Sequence, residues 1–440
     1  MLLRLCCLLP VLFAGLAAAK EAPPKTDELA KTWAAEHLPE VETLYRELHQ
    51  APELSFEEKE TAARMADELR AIGAEVRTDI GGHGLIGILK NGEGKTLLLR
   101  ADMDALPVVE ETGVPYASKV LTTNERGQTV GVMHACGHDI HMSNLVGVAR
   151  LLADNKDAWQ GTAILLFQPA EERGAGSKAM LDDGLLTMFT RPDFAVAMHV
   201  AADTPCGTIG YRPGYACANV DSVDITIKGR GGHGAYPETT IDPIVVAAKL
   251  VLDLQTIVSR EIKPTEPAVV TVGAIEGGTK HNVIGDDCKL QLTVRSYSPQ
   301  VRQQLAEAIQ RKAKAAAMSA GAPEPEILIS EGTPSLYNDP ELAERVAGIA
   351  SRILGADQVK QSDPTMGGED FSRYGLAGIP ICMIKVGSVS QERLDQFKQQ
   401  DTPPPSLHSP RYYPDPSATL ETSISTMGAV ALELLSPEDE

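Results

Sequence analysis

Hydrophobic positions recur at a helical period through "LSFEEKETAARMADELRAIGAEV" and then contract into short apolar runs, "GLIGILKN" and "KTLLLRADMDALP". The first pattern predicts a helix: Ser55 and Glu58 have capping-box spacing, and Gly73 stands where a helix stops. The second predicts strands, one of them apolar on both faces and so buried on both. "HMSNLVGVARLLADNK" returns to the helical period, and "GTAILLFQPAEE" and "PDFAVAMHV" are strands again. Helices and strands in alternation give an α/β fold, here a largely parallel mixed sheet flanked by helices.

From about Ala218 the order changes. "DSVDITIKGRG" alternates as a half-buried strand does, and "IDPIVVAAKLVLDLQTIVSR" is a long helix. "AVVTVGAIEGG" and "CKLQLTVRSYS" are two further strands. A helix follows from Pro299 to about Ala320, with Ser298 as its N-cap and Gly321 as its stop, and "EPEILISEG" closes the set. That βαββαβ order is ferredoxin-like. It predicts an inserted unit over residues 218–332, serving as lid and dimerisation surface, within a catalytic domain made of 20–217 and 333–440. "LAERVAGIASRILG" and "IPICMIKVG" resume the first domain.

The chain has 440 residues, 43% of them hydrophobic, which suits two domains better than one. Its net charge of −20 excludes nucleic acid and anionic membrane surfaces as partners, since both attract basic patches. Residues 1–19 have the form of a signal peptide: Arg4, an apolar run, then Ala17-Ala18-Ala19. The expected mature chain starts at Lys20 and is periplasmic or secreted. The run is shorter than the ~20 residues a membrane span needs, and Cys6 and Cys7 precede it, too early for a lipid anchor. Five cysteines remain after that leader, and an odd number leaves at least one thiol unpaired.

"RADMDALP", "HACGHDIH", "PAEE", "AMHV" and "SLHSPR" carry nearly all the metal-capable side chains. In an open α/β sheet, segments after strand ends converge where ligands bind. Cys136 and His138 flank a glycine, and the adjacent Glu171 and Glu172, His199 and His408 accompany them. Thiolate, imidazole and carboxylate together suit zinc, manganese or cobalt rather than calcium or magnesium. A pair of such ions about 3.5–4 Å apart is a common hydrolytic site. One glutamate of the pair then binds metal while its neighbour takes a proton from the activated water. A loop begun at Pro169 frees both from strand alternation.

These motifs, with "GGHGAYP" and "GGEDFS", resemble the amidohydrolase branch of the aminoacylase and carboxypeptidase metallopeptidases. That branch includes hippurate hydrolases, N-acetyldiaminopimelate deacetylases and auxin-conjugate hydrolases. The resemblance runs from about Leu38 to Met427. It implies two divalent ions held by Cys136, His138, Glu172, His199 and His408, with Cys136 bridging and Glu171 as general base. It implies as well a lid residue, His233, reaching the substrate carbonyl, with Asn282 and Arg295 in the same unit. Arg295 has the two-pronged geometry that grips an α-carboxylate.

Asp102 and Asp104, two apart and expected on one strand face, are assigned to orienting histidine ligands. His37 and His49, in the first helices, are expected at the surface. His83, His134 and His141 receive no part. The implied activity is hydrolysis of the amide bond of an N-acyl amino acid or similar conjugate. A carboxypeptidase or dipeptidase on the same scaffold uses the same groups. A non-catalytic periplasmic binding protein would not need Glu171. An exposed edge strand on the inserted unit is the expected surface of a homodimer.

Overall fold

Thr96–Asp102, Gly161–Gln168, Phe194–Pro205 and Ile381–Val389 lie side by side and parallel at the centre of an eight-stranded sheet. The computed structural model describes residues 25–123 and 127–436, so the expected leader falls outside it. The antiparallel pair Glu75–Ile80 and Gly84–Asn91 extends the sheet on one side, and Ile209–Tyr211 and Val359–Gln361 extend it on the other. Strand residues alternate between faces, and here both faces are covered. Leu97, Leu99, Leu165 and Phe167 pack into a layer with the helices Lys25–Gln50, His138–Asp154 and Pro416–Leu434. Leu98, Ile164 and Leu166 point the other way, toward Met180, Phe371 and Tyr374. The near-continuous apolar runs follow from this double burial.

A second, antiparallel sheet has the order Ala268–Gly277, Asp287–Ser296, Asn219–Lys228, Glu326–Glu331. The helices Pro243–Thr256 and Pro299–Ser319 cover one face, where Ile225, Leu250, Leu290 and Leu305 meet. Ser298 caps its helix as its position predicts, accepting a bond from the Val301 amide at 3.3 Å. The fold class is thus the predicted one: a mixed α/β sheet with a ferredoxin-like βαββαβ unit within the chain.

Two local expectations fail. Ser55 and Glu58 do not form a capping box; the helix Lys59–Ala71 has its first amides bound instead by Glu53, at 3.1 Å to Glu60 and 2.7 Å to Thr61. Asp102 is the last residue of its strand and Asp104 lies beyond it, so the two do not share a strand face.

Candidate metal centre

Three irregular segments meet at the carboxyl ends of the central strands. Gly137 has φ 77° and starts the helix His138–Asp154, placing Cys136 just before that helix and His138 in its first turn. A side chain there would meet Val200 at 2.6 Å, so the turn requires glycine both for φ and for space. The strand Gly161–Gln168 ends one residue before Pro169, and Ala170 takes φ 49°. That left-handed residue breaks the alternation and lets Glu171 and Glu172 face one cavity. The third segment pins His408, φ 69°, through its amide to the Ala135 carbonyl at 2.9 Å.

The donor atoms of Cys136, His138 and His199 lie within 4.8 Å of one another, as do those of Cys136, Glu172 and His408. Two three-residue sets sharing one sulfur are what two neighbouring ions need. Each ring is already oriented. His138 gives Nδ1–H to the Asp104 carbonyl at 2.7 Å, and His199 gives Nδ1–H to the Val200 carbonyl at 2.8 Å. Both therefore turn Nε2 to the centre, His199 to 3.6 Å from Cys136 Sγ. His138 Nε2 and Glu172 Oε1 are buried with no hydrogen-bond partner among the described residues, although Glu172 Oε1 lies 3.3 Å from His408 Nε2. Unpaired buried polar atoms are costly, and divalent cations would satisfy both. The residues present fit such ions.

His141 does not join them. Its Nε2 accepts from the Val200 amide at 3.0 Å while Nδ1 binds Asp102 at 2.6 Å, so both nitrogens are committed. His134 is buried with neither ring nitrogen paired, and burial pushes it down to about 4. His199 is lowered to about 3 by burial and then by its neighbour His141, which keeps it neutral as a ligand must be. His408 goes the other way, up to about 10, through its contacts with Cys136 and Glu172.

Asp104 organises the glutamate turn. Its two oxygens accept the Glu171 amide at 3.1 Å and the Glu172 amide at 3.0 Å, and Ser55 adds its hydroxyl at 2.6 Å. Glu58, fully buried, accepts the Ala170 amide at 2.8 Å. Ser55 and Glu58 thus support the loop that sequence spacing had assigned them away from. Asp102 holds both His141 and, at 2.6 Å, the guanidinium of Arg100. Arg100 is buried in a strand interior and also meets Glu369 at 3.1 Å and Asp370 at 3.2 Å. Glu171, half-buried beside them, has its pKa held well above the usual carboxylate range by burial and then by the charges of Glu369, Asp370 and Glu172. A group in that state suits proton transfer near neutral pH.

A cleft of about 1140 Å³ opens over this centre, lined by Cys136, Glu171, Glu172, His199 and His408 and also by Arg295. Asp102, Asp104 and His138 lie behind its surface, fully buried. His233 and Asn282 do not line it. They sit together at an exposed two-stranded ladder, Gly232–His233 against Val283–Ile284, where the Asn282 carbonyl accepts the Gly234 amide at 2.9 Å. His49, expected at the surface, is buried and bridges Asp139 at 2.6 Å and Glu110 at 3.2 Å. Sequence reasoning missed the Arg100 cluster, although a charged residue inside an apolar run was a signal for it.

The sequence model of peptidase family M20/M25/M40 matches residues 98–402. An N-acetyl-L-cysteine deacetylase of Bacillus subtilis is 40% identical over 76% of this chain and 77% of that enzyme. Thermostable carboxypeptidase 1 of Saccharolobus solfataricus is 37% identical over 75% of this chain and 81% of its own length. A crystal structure of a dinuclear metal-binding M20 peptidase from Bacillus subtilis superposes with a TM-score of 0.75 and 31% identity. That match covers 91% of this chain and 99% of the other.

Proposed function

Because this chain belongs to peptidase family M20/M25/M40 and is therefore a metal-dependent hydrolase, we propose that it cleaves the amide bond of N-acyl amino acids with Glu171 as general base. The observation that carries this is the pair of donor sets sharing Cys136 beside a half-buried Glu171. Cys136, His138, Glu172, His199 and His408 would hold two divalent ions. When bound, such ions acidify water and polarise an amide carbonyl.

Glu171 takes the proton of the attacking water and returns it to the departing amine nitrogen. Asp104 fixes where its carboxyl sits, by holding the Glu171 and Glu172 amides. Arg295, on the cleft wall, meets the substrate's α-carboxylate. His233 would donate to the tetrahedral oxyanion once the four-stranded unit, residues 218–332, closes on the sheet or a partner copy supplies its own. The edge strands Ala268–Gly277 and Glu326–Glu331 of that unit are the surfaces proposed for pairing two copies. The leader at residues 1–19 supports export; no described helix is long and apolar enough to cross a membrane.

A carboxypeptidase or dipeptidase activity is the second reading, favoured by the likeness to the carboxypeptidase. The test is hydrolysis by purified, metal-stripped protein given manganese, zinc or cobalt in turn, with N-acetyl amino acids beside dipeptides. Release of acetate from N-acetyl amino acids supports the proposal. Turnover of dipeptides alone moves the assignment to the second reading.

A further inference from the structure

The cleft extends well beyond the metal donors, and its lining there carries Arg212, Arg295 and Lys385 beside Asp203, Asp363 and Glu369. Lys385 pairs in parallel register with His199 across adjacent strands, so both side chains leave the same face of the sheet about one strand spacing apart, ~4.8 Å. On its other side Lys385 pairs with Gly210, and Arg212 lies just past the end of that three-residue strand. A side chain at position 210 would lie 3.4 Å from Lys385 Cβ and 3.5 Å from Ser362 Cβ. Glycine therefore leaves a floor open between them. Gly210, Arg212 and Lys385 all line the cleft.

Neither Lys385 nor Arg212 forms an ion pair with any described residue, although Asp203, Asp363 and Glu369 line the same cleft. Lys385 is half-buried and makes no hydrogen bond or ion pair to any described residue. Arg212 reaches only the Ser362 carbonyl, at 3.4 Å, and its Nε is buried with no partner. In a chain with 60 acidic residues against 40 basic ones, two unpaired cations on one cavity wall need a reason. Burying a charge without a counter-charge is unfavourable, and an anionic ligand would remove that cost. Arg295 lines the same cleft, its guanidinium held by the Met366 carbonyl at 2.6 Å, also without an acidic partner among the described residues.

We propose that the cleft selects N-acyl amino acids bearing two carboxylates, one met by Arg295 and the second by Lys385 and Arg212. This rests on the amidohydrolase assignment above. The second carboxylate belongs either to the acyl group, as in a succinyl amide, or to an acidic amino-acid side chain. Lys385 and Arg212 act on binding, not on the reacting bond.

The experiment uses the full-length metal-loaded protein, wild type, Lys385→Met and Arg212→Gln. Turnover is measured on N-acetyl-L-methionine, N-succinyl-L-methionine and N-acetyl-L-glutamate. Binding of glutarate and of butyrate is measured by calorimetry, which needs no reaction. The expected result is a KM about 10-fold or more higher for a dianionic substrate in Lys385→Met. N-Acetyl-L-methionine and kcat should stay within about 2-fold, since no transition-state contact is lost. Whichever of the two dianionic substrates is penalised identifies the source of the second carboxylate. Glutarate should bind the wild type more tightly than butyrate, and Lys385→Met and Arg212→Gln should each erase that difference. Equal binding of glutarate and butyrate by the wild type would overturn the proposal even if hydrolysis is efficient. Glutarate preference without turnover of any amide would leave the anion site standing and remove the amidohydrolase reading instead.

Discussion

On the sheet side of the cleft, Asp102, Asp104 and His138 are fully buried, and hydrogen bonds fix the orientation of His138, His199 and the glutamate turn. By contrast, His233 stands exposed on a two-residue strand outside the cleft lining, and its Nδ1 accepts only the Ala235 amide among the described residues, at 3.0 Å. The same chain thus holds one set of groups that cannot move without breaking buried contacts, and presents the other at an exposed position. Electrostatic groups act best when preorganised, and that demands a dry, crowded setting. A group that must admit substrate first and then close on it needs the reverse. In the function proposed above, proton transfer falls to the buried set and oxyanion contact to the exposed one.

The largest expected effect lies in the buried set. Glu171→Gln keeps the shape of the side chain and removes the base, and should lower kcat by about 10²–10⁴-fold, read by initial rates at saturating substrate. Retained activity would leave the buried set without a chemical part. His233→Ala tests the exposed one: loss of one oxyanion donor costs about 10²–10³-fold in kcat. Because the residue is exposed, its melting temperature should not change. A His233→Ala protein that loses stability as well would show that this two-stranded ladder is part of the core, and the contrast would fail.

Asp104→Asn sharpens the comparison from beneath. An asparagine offers one acceptor oxygen where two amides and Ser55 now find two. Metal affinity should fall by about 10–100-fold in a chelator competition. An unchanged affinity would mean that the Glu171–Glu172 turn holds its own geometry.

The smallest effect concerns pH. Burial works against a charged His49, yet its bonds to Asp139 and Glu110 raise it to about 9. A raised pKa means the folded state binds the proton more tightly than the unfolded one, whose histidine titrates near ~6.5. The stabilisation is whole below that pH and declines as pH rises through about 9. The stability difference between wild type and His49→Gln, followed by thermal melts, should therefore shrink from pH 6 to pH 9.5. A difference that grows over that interval would contradict the sign.

Much of this was legible before any coordinates. The runs "TLLLRAD" and "TAILLFQ" are strands because both faces are buried, and a period-2 pattern elsewhere marks strands with one open face. Cys136 and His138 stood out as candidates only because Glu171 and Glu172, His199 and His408 accompany them, since a lone Cys-x-His pair is more often structural. Three things were not. Ser55 and Glu58 have the spacing of a cap, and only the fold shows that both turn inward to Asp104 and Ala170. His49 sits on a helix whose polar neighbours suggest solvent, while its partners come 61 and 90 residues later. The helix Pro416–Leu434 is almost wholly buried, yet its serines and threonines hide that from a hydrophobic count. Thr422 bonds the Ala418 carbonyl at 2.7 Å, so such a hydroxyl is buried at little cost.

The assignment of different roles to two adjacent, chemically alike glutamates is the central claim, and metal content beside turnover tests it most directly. Glu171→Gln and Glu172→Gln are purified, loaded with manganese or zinc, dialysed, and assayed for ions per chain and for N-acyl amino acid hydrolysis. Glu171→Gln should keep its ions and lose turnover, with no recovery on added metal. Glu172→Gln should lose ions and regain part of its rate when metal is in excess. If instead Glu171→Gln loses the ions while Glu172→Gln keeps them and loses only rate, the base and the ligand have been assigned the wrong way round.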